Sequence, residues 1–336
     1  MLRSSRFLLC PAQHQLDCAT ACDIAKFLLG GGGSTVVITG AGCSTSSGIP
    51  DYRSPSGMYS KPNFTPLQFK DFHDSEFFQR RYWTRAMFGY DGLFRARTNA
   101  VHLTLATLQK QRHIGTIVTQ NVDGLHHQAF HDVVAYERDL SQVVDHHSVA
   151  SQKRSSDGEI VELHGNLHEV ACMRCHRVFS RRKYQEQLRA ANTFAERQYK
   201  PDQDKVRADG DFEAPETLIK SFKLVPCQEC DGAIRPNVVM FGASVEKEKV
   251  DAVFSRVEKA QRVLCLGTSL QVYSAFRFVI KATELQKPVM VVNNGTTRAK
   301  QLTDKNPELD IRHVHVEDLS RVMPLVPLFM HRQPLV

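Results

Sequence analysis

Two cysteine pairs at matched spacing carry the most specific chemistry in this chain. Cys172-x-x-Cys175 and Cys227-x-x-Cys230 each place two thiols on one tight turn. Four thiolates close a tetrahedral shell, the pattern of structural zinc, and leave no open position for metal catalysis. The gap between the pairs, residues 176–226, exceeds the roughly 15–20 residues of a compact ribbon, so an insertion separates the two knuckles. A redox dithiol is the alternative use of such a pair. Cys10, Cys18, Cys22, Cys43 and Cys265 are unpaired by spacing and read as small apolar residues.

The second chemical feature is a glycine-rich loop, "GAGCSTSSGIPDYRS" (40–54), which follows the β-branched run "STVVITG". A strand that turns into glycine begins a dinucleotide site, because backbone can then approach a pyrophosphate closely. Gly40 and Gly42 fit the fingerprint, but Thr45 stands where the third glycine belongs. The next strand signal comes only near Ile114, too late for the compact unit of a hydride-transferring enzyme. Nucleotide binding is supported; hydride transfer is not.

Polar residues end one apolar run after another. Thr119, Gln120, Asn121 and Asp123 end "IGTIV", His164 ends "IVEL", Gly267, Thr268 and Ser269 end "RVLCL", and Asn293, Asn294 and Gly295 end "PVMVV". In open α/β sheets ligands lie at the carboxyl ends of the strands. Any one of these groups suits a turn; their recurrence points to a ribose- and phosphate-binding crevice. His164 follows an apolar strand and precedes glycine. It suits a general base working near neutrality, and equally a buried or turn histidine.

The elements that position these groups alternate. A helix is expected over "DCATACDIAKFLLGGGG", strands at 34–40, 114–121, 160–165, 262–269, 288–295 and 311–317, helices near 246–260 and 273–286, and mostly helix over 67–112. The expected fold is α/β, a doubly wound, mostly parallel Rossmann-like sheet with an inserted zinc-ribbon and helical domain. Its sheet would take residues 17–54, 113–164 and 233–325, a helical module 55–112, and the zinc module 165–232. Residues 137–160 are polar and aperiodic and read as a surface insertion. Residues 1–16 read as a targeting or disordered segment and 331–336 as a tail. Arg3 and Arg6 with no acid before Asp17 resemble a short mitochondrial presequence.

At 42% hydrophobic and 24% charged, the 336 residues have globular composition. No apolar run approaches the ~18–20 residues that span a bilayer, so membrane insertion is not expected. Nine cysteines are too sparse for a disulfide scaffold and point to a reducing compartment. The net charge of +7 suits a solvated surface. The basic flank "MRCHRVFSRRKY" lacks a recognition helix or stacking strip, so nucleic acid is not an expected partner.

Taken in order, the motifs resemble the sirtuin family over about residues 20–325. "GAGCSTSSGIPDYRS", "TQNVDGLH" (119–126), "ELHG" (162–165), the four cysteines, "RPNVVMFG" (235–242), "GTSLQVYSA" (267–275) and "VNNGTT" (292–297) carry the likeness. "RYWTR", "GIPDYRS", "SLQVYSAFRF" and "ADGD" are most similar to the class II, mitochondrial, sirtuin-4-like branch. The resemblance implies a protein-lysine deacylase that consumes NAD as a co-substrate, with one structural Zn2+. It implies His164 as general base, with Asn121 and Asp123 gripping the nicotinamide end. Gly40, Ala41, Gly42 and Ser44 would hold the pyrophosphate through backbone groups, beside Gly48. Pro50, Asp51, Tyr52 and Arg53 would form a lid. Gln120 and Val122 would sit beside Asn121, and Gly267, Thr268, Ser269, Asn293, Asn294 and Gly295 would hold the adenosine half. Val239 and Phe241 would line the substrate cleft, Val239 through its backbone. Tyr82 and Arg85, three apart on a helix, would share a face and read an acidic acyl group such as glutaryl. The resemblance further implies acyl-lysine protein substrates, mitochondrial metabolic enzymes among them, a matrix location and a monomer. Mono-ADP-ribosyl transfer and NAD-responsive regulation are the alternative readings. Ser46 and Ala243 stand where the family often carries acids.

Overall fold

The computed structural model describes residues 12–54, 57–60, 65–138, 159–199 and 214–330. The expected presequence up to residue 11, residues 139–158 of the expected insertion, "ADGD" and the tail lie outside them. Helix α1 (Ala12–Leu29) leads into β1 (Thr35–Thr39). Helices α2 (Phe69–Asp74), α3 (Glu76–Phe88), α4 (Tyr90–Arg95) and α5 (Ala100–Lys110) follow, then β2 (Thr116–Thr119), α6 (Leu125–Arg138) and β3 (Glu159–Glu162). A second layer of chain comprises β4 (Gly165–Cys172), β5 (Val178–Ser180), α7 (Arg181–Ala191), α8 (Thr193–Gln198), α9 (Glu216–Ser221) and β6 (Ile234–Val238). The chain then returns through α10 (Lys247–Lys259), β7 (Arg262–Leu266), α11 (Tyr273–Glu284), β8 (Val289–Asn293), α12 (Arg298–Lys305), β9 (Ile311–His315), α13 (Leu319–Val322) and α14 (Val326–Met330).

The large sheet has the order β3-β2-β1-β7-β8-β9, and every adjacent pair is parallel. Its strands alternate between two cores. Val37, Leu264, Leu266, Met290 and Val292 meet α1, α5, α13 and α14 on one face. Val36, Ile38, Val263, Cys265, Val289 and Val291 meet α10 and α11 on the other. Burial on both faces explains why these strands are apolar throughout instead of alternating with polar residues. The chain winds outward from β1 to β3, then restarts at β7 on β1's other side. The strand order therefore reverses between β1 and β7, and a crevice opens there at the carboxyl ends.

Two boundaries differ from the sequence reading. Residues 12–16 already belong to α1, whose Asp17 accepts a hydrogen bond from Arg321 Nη2 at 2.7 Å and so ties the helix to α13. Residues 234–238, assigned above to the large sheet, pair antiparallel with β4 in a separate sheet of order β5-β4-β6. "AIRPNV" has the look of a buried strand, but only tertiary pairing decides which sheet it joins. A third core forms beneath this small sheet, from Phe72, Trp83, Met87, Val170, Tyr184, Leu188 and Phe222. Trp83 Nε1 donates to the Ile234 carbonyl at 2.9 Å, so the helical stretch and the cysteine-bearing stretch pack as one unit.

Candidate active site

The four cysteines meet as their spacing requires. Their sulfurs all lie within 4.8 Å of one another, with Cys172 to Cys230 at 3.4 Å and Cys175 to Cys227 at 3.8 Å. A tetrahedral zinc with thiolates at ~2.3 Å needs sulfur–sulfur edges of about 3.8 Å. The two knuckles are built alike. His176 and Asp231, each the residue after a second cysteine, have φ of 59° and 57°. Their N–H groups return to the carbonyls of Cys172 and Cys227 at 3.1 and 2.9 Å. Burial alone would push the Cys172 thiol up, but the N–H groups of Cys175 and Arg174 aim at its sulfur and hold it down, at about 6. A side chain on Gly232 would meet Cys172 Sγ at 2.8 Å, so that position must stay bare. The quartet fits one structural zinc.

The crevice between the two layers is a cleft of about 1480 Å³. The carboxyl ends of β1, β2, β7, β8 and β9 all open onto it, as does His164 just beyond β3. At its centre two loop backbones touch. Gly42 N–H donates to the Gly267 carbonyl at 2.9 Å, and a Cβ on Gly42 or Gly40 would fall 2.9 or 2.7 Å from the Gly267 oxygen. Gly267 has a φ of +56°. The glycines thus let the β1 and β7 loops fuse into one floor.

Under that floor lies a buried polar junction. Asn99 N–H donates to His102 Nδ1 at 3.3 Å in a capping box at the start of α5. His102 Nε2 therefore carries the proton and donates to Ser44 Oγ at 3.3 Å. Ser44 Oγ also accepts from Asn121 Nδ2 at 3.0 Å and donates to Asp123 Oδ2 at 2.7 Å. One donor and two acceptor sites saturate the hydroxyl. Burial drives His102 down to about 4, against the pull of the Asp123 charge, so the ring is neutral at physiological pH. His126, fully enclosed and bonded to Thr39 Oγ1 at 2.9 Å, is held well below the usual histidine range by burial.

His164 is fixed from one side. Its Nδ1 lies 3.0 Å from the Gln120 carbonyl, which can only accept, so Nδ1 bears the proton. The unprotonated Nε2 faces Ser274 Oγ at 2.7 Å. Burial lowers the ring's affinity for a proton, the Gln120 bond raises it in part, and nearby Lys249 lowers it again; the net direction is down. A neutral imidazole with an unprotonated Nε2 on the cleft side can take a proton from a bound hydroxyl that displaces Ser274 Oγ.

Most of the expected residues line this one cleft: Gly40, Ala41, Gly42, Ser44, Pro50 to Arg53, Gln120 to Asp123, His164, Gly267 to Ser269 and Asn293 to Gly295, with Tyr82, Arg85, Val239 and Phe241. Three expectations gain detail. Gly48 does not line the cleft; with φ +82° it ends a tight helical turn and reverses the chain. The N–H groups of Gly42, Cys43 and Ser44 bond to Gly267, Gly40 and Ala41 carbonyls at 2.9, 3.0 and 2.9 Å. What the two glycines supply is close backbone approach. The Val239 N–H is spent on the His164 carbonyl at 2.8 Å. The Asp51 carboxylate accepts from the N–H groups of Arg53 and Ser54, at 3.1 and 2.9 Å, and shapes the expected lid from within. Sequence reasoning missed Ser274 and His102. The capping spacing Asn99-x-x-His102 was the available signal for the latter; nothing local marks the former.

A parallel sheet with its ligand cleft at the strand-order reversal, beside a four-cysteine module, defines a nucleotide-binding α/β enzyme with a zinc ribbon. A model of the Sir2 family matches residues 40–138 and 136–274. NAD-dependent protein deacylase SIR2rp2 of Leishmania major is 43% identical over 284 residues, 84% of this chain and 86% of that protein. Sirt4 of Drosophila melanogaster, an NAD-dependent protein deacylase, is 35% identical over 81% of this chain and 78% of its own. The bovine NAD-dependent protein lipoamidase sirtuin-4, mitochondrial, is 35% identical over 80% of this chain and 76% of its own. Among solved structures, a Sir2 enzyme superposes with a TM-score of 0.59 at 20% identity, covering 92% of this chain and 97% of its own. The chain belongs to the Sir2 family, the sirtuins. It is an NAD-dependent protein deacylase, and NAD is its consumed co-substrate.

Two outcomes follow from this geometry. Removing zinc with a chelator should unfold the small sheet and release one metal equivalent per chain, read by a zinc dye alongside circular dichroism; unchanged spectra after release would contradict a structural role. Ser44→Ala leaves Asp123, Asn121 and His102 each short of a buried partner. It should cost about 2 kcal/mol in urea unfolding and raise the KM for NAD at least ~10-fold; unchanged values in both would contradict the junction's role.

Proposed function

We propose that the cleft seats NAD across the fused β1 and β7 loops and an acyl-lysine between the two layers, with His164 as the general base. When bound, NAD supplies an activated ribose carbon that captures the acyl oxygen as nicotinamide leaves, and one water completes the reaction to free lysine and O-acyl-ADP-ribose. The chain's part is to hold and desolvate these partners. Asn121 and Asp123, locked by Ser44, present a fixed polar wall at the nicotinamide end. Pro50 to Arg53 cover the loop floor. His164 Nε2 accepts the proton of a ribose hydroxyl, and the Gln120 carbonyl steadies the imidazolium that results.

The observation that carries the acyl preference is Arg85. Its side chain is only 6% exposed, yet it lines the cleft with Tyr82, Leu167 and Met240. An apolar wall ending in a guanidinium and a phenol suits a short acyl chain with a terminal carboxylate. The test is turnover of acetyl-, glutaryl- and lipoyl-lysine peptides with NAD, reading O-acyl-ADP-ribose by mass spectrometry. Glutaryl turnover should exceed acetyl at least ~10-fold in kcat/KM, and Arg85→Met should erase that ratio. An unchanged ratio in the variant would remove the preference, and ADP-ribose found on the peptide in place of O-acyl-ADP-ribose would favour the transferase reading.

A further inference from the structure

The helix that follows the β7 loop reaches the catalytic base. Ser274, the second residue of α11, lines the cleft and sits with Oγ 2.7 Å from His164 Nε2. The direction of that bond is determined. Gln120 can only accept at Nδ1, so Nε2 has no proton and Ser274 must donate to it. We infer that Ser274 is a positioning residue for His164, holding the ring's Nε2 edge toward the cleft until a ribose hydroxyl takes its place. This rests on reading His164 as the base.

A hydroxyl suits the task because it works in both protonation states. It donates to the neutral ring. Once Nε2 has taken the ribose proton, the same oxygen rotates to accept from the imidazolium. The ribose O–H bond breaks as the Nε2–H bond forms, the freed oxygen pair bonds to the acyl carbon, and Ser274 Oγ returns to accept from Nε2. The second arrangement is charge-assisted and the stronger of the two. Ser274 therefore favours the protonated ring, in opposition to burial and to Lys249 on α10, the charged group that acts on the ring among the described residues. The Gln120 carbonyl on β2's end supports the same protonated form.

The experiment is the pH profile of kcat/KM for deacylation, with NAD and an acyl-lysine peptide, in the full chain and in Ser274→Ala, Ser274→Thr and His164→Ala. Thermal melts establish that each variant is folded. Ser274→Ala should move the acid limb to lower pH by about half a unit and cut kcat about 10-fold, the loss of one charge-assisted bond. Ser274→Thr, which keeps the hydroxyl, should restore the limb. A limb that stays in place in Ser274→Ala, or moves upward, overturns the inference. Turnover surviving in His164→Ala overturns the base assignment itself, whatever Ser274→Ala shows, so the two failures are distinguishable. A fall in kcat that Ser274→Thr does not rescue, with the limb unmoved, would mean that the serine merely packs.

Discussion

One residue at the end of β2 ties the site together. The backbone N–H of Gln120 bonds to the Thr39 carbonyl of β1 at 3.0 Å, and its side-chain amide reaches the same carbonyl and Thr268 Oγ1 at 3.1 and 2.8 Å. Its carbonyl accepts from His164. A single residue thus registers the β1 end, the β7 loop and the histidine against one another. The reactive edge of His164 is defined because these three elements cannot shift independently. The same side chain lines the cleft, where the sequence reading placed it beside the cofactor.

Around that clamp the site is assembled from two sides. The junction of Ser44, Asn121, Asp123 and His102 holds its polar groups in fixed orientation through mutual hydrogen bonds. His102 and His126 stay neutral because burial makes their protonation costly. The second layer adds apolar residues to the cleft, Leu167, Val238 and Met240 among them. That layer has a sheet of three strands, and the cysteine quartet ties the end of β4 to the start of β6. Trp83 and Arg181 join it to the helical stretch, Arg181 Nη2 bonding to the Ala86 carbonyl at 2.9 Å with its guanidinium over the Trp83 and Tyr90 rings. Cys172 and Cys227 share one core with Trp83 and Met87 of α3, the helix that carries Arg85.

Much of this was legible in the sequence for physical reasons. Strands buried on both faces must be apolar throughout, so the first polar residue marks where each one ends. In a parallel sheet those ends lie together, and Gly40, Asn121, Gly267 and Asn293 were therefore readable as one site. The cysteine spacing sufficed for the metal, since two thiolates on a tight turn leave few alternatives. What stayed hidden depends on long-range pairing. Residues 234–238 look like any buried strand, and only β4 decides their sheet. Ser274 lies 110 positions from His164 and meets it solely because α11 starts where the β7 loop ends. The bonds of the Gly42 and Ser44 N–H groups to the Gly267 and Ala41 carbonyls were equally hidden, because a glycine-rich sequence does not say where each N–H points.

The Gln120 carbonyl fixes the protonation pattern of His164. The most direct measurement is nitrogen-15 NMR of the labelled histidine rings at neutral pH, with His164 assigned by its loss in a His164→Gln variant. The structure predicts the tautomer with the proton on Nδ1 and a bare Nε2. A resonance pattern showing Nε2 protonated and Nδ1 bare would contradict the account, because the ring could then neither bond to Gln120 as it does nor accept a proton on the cleft side.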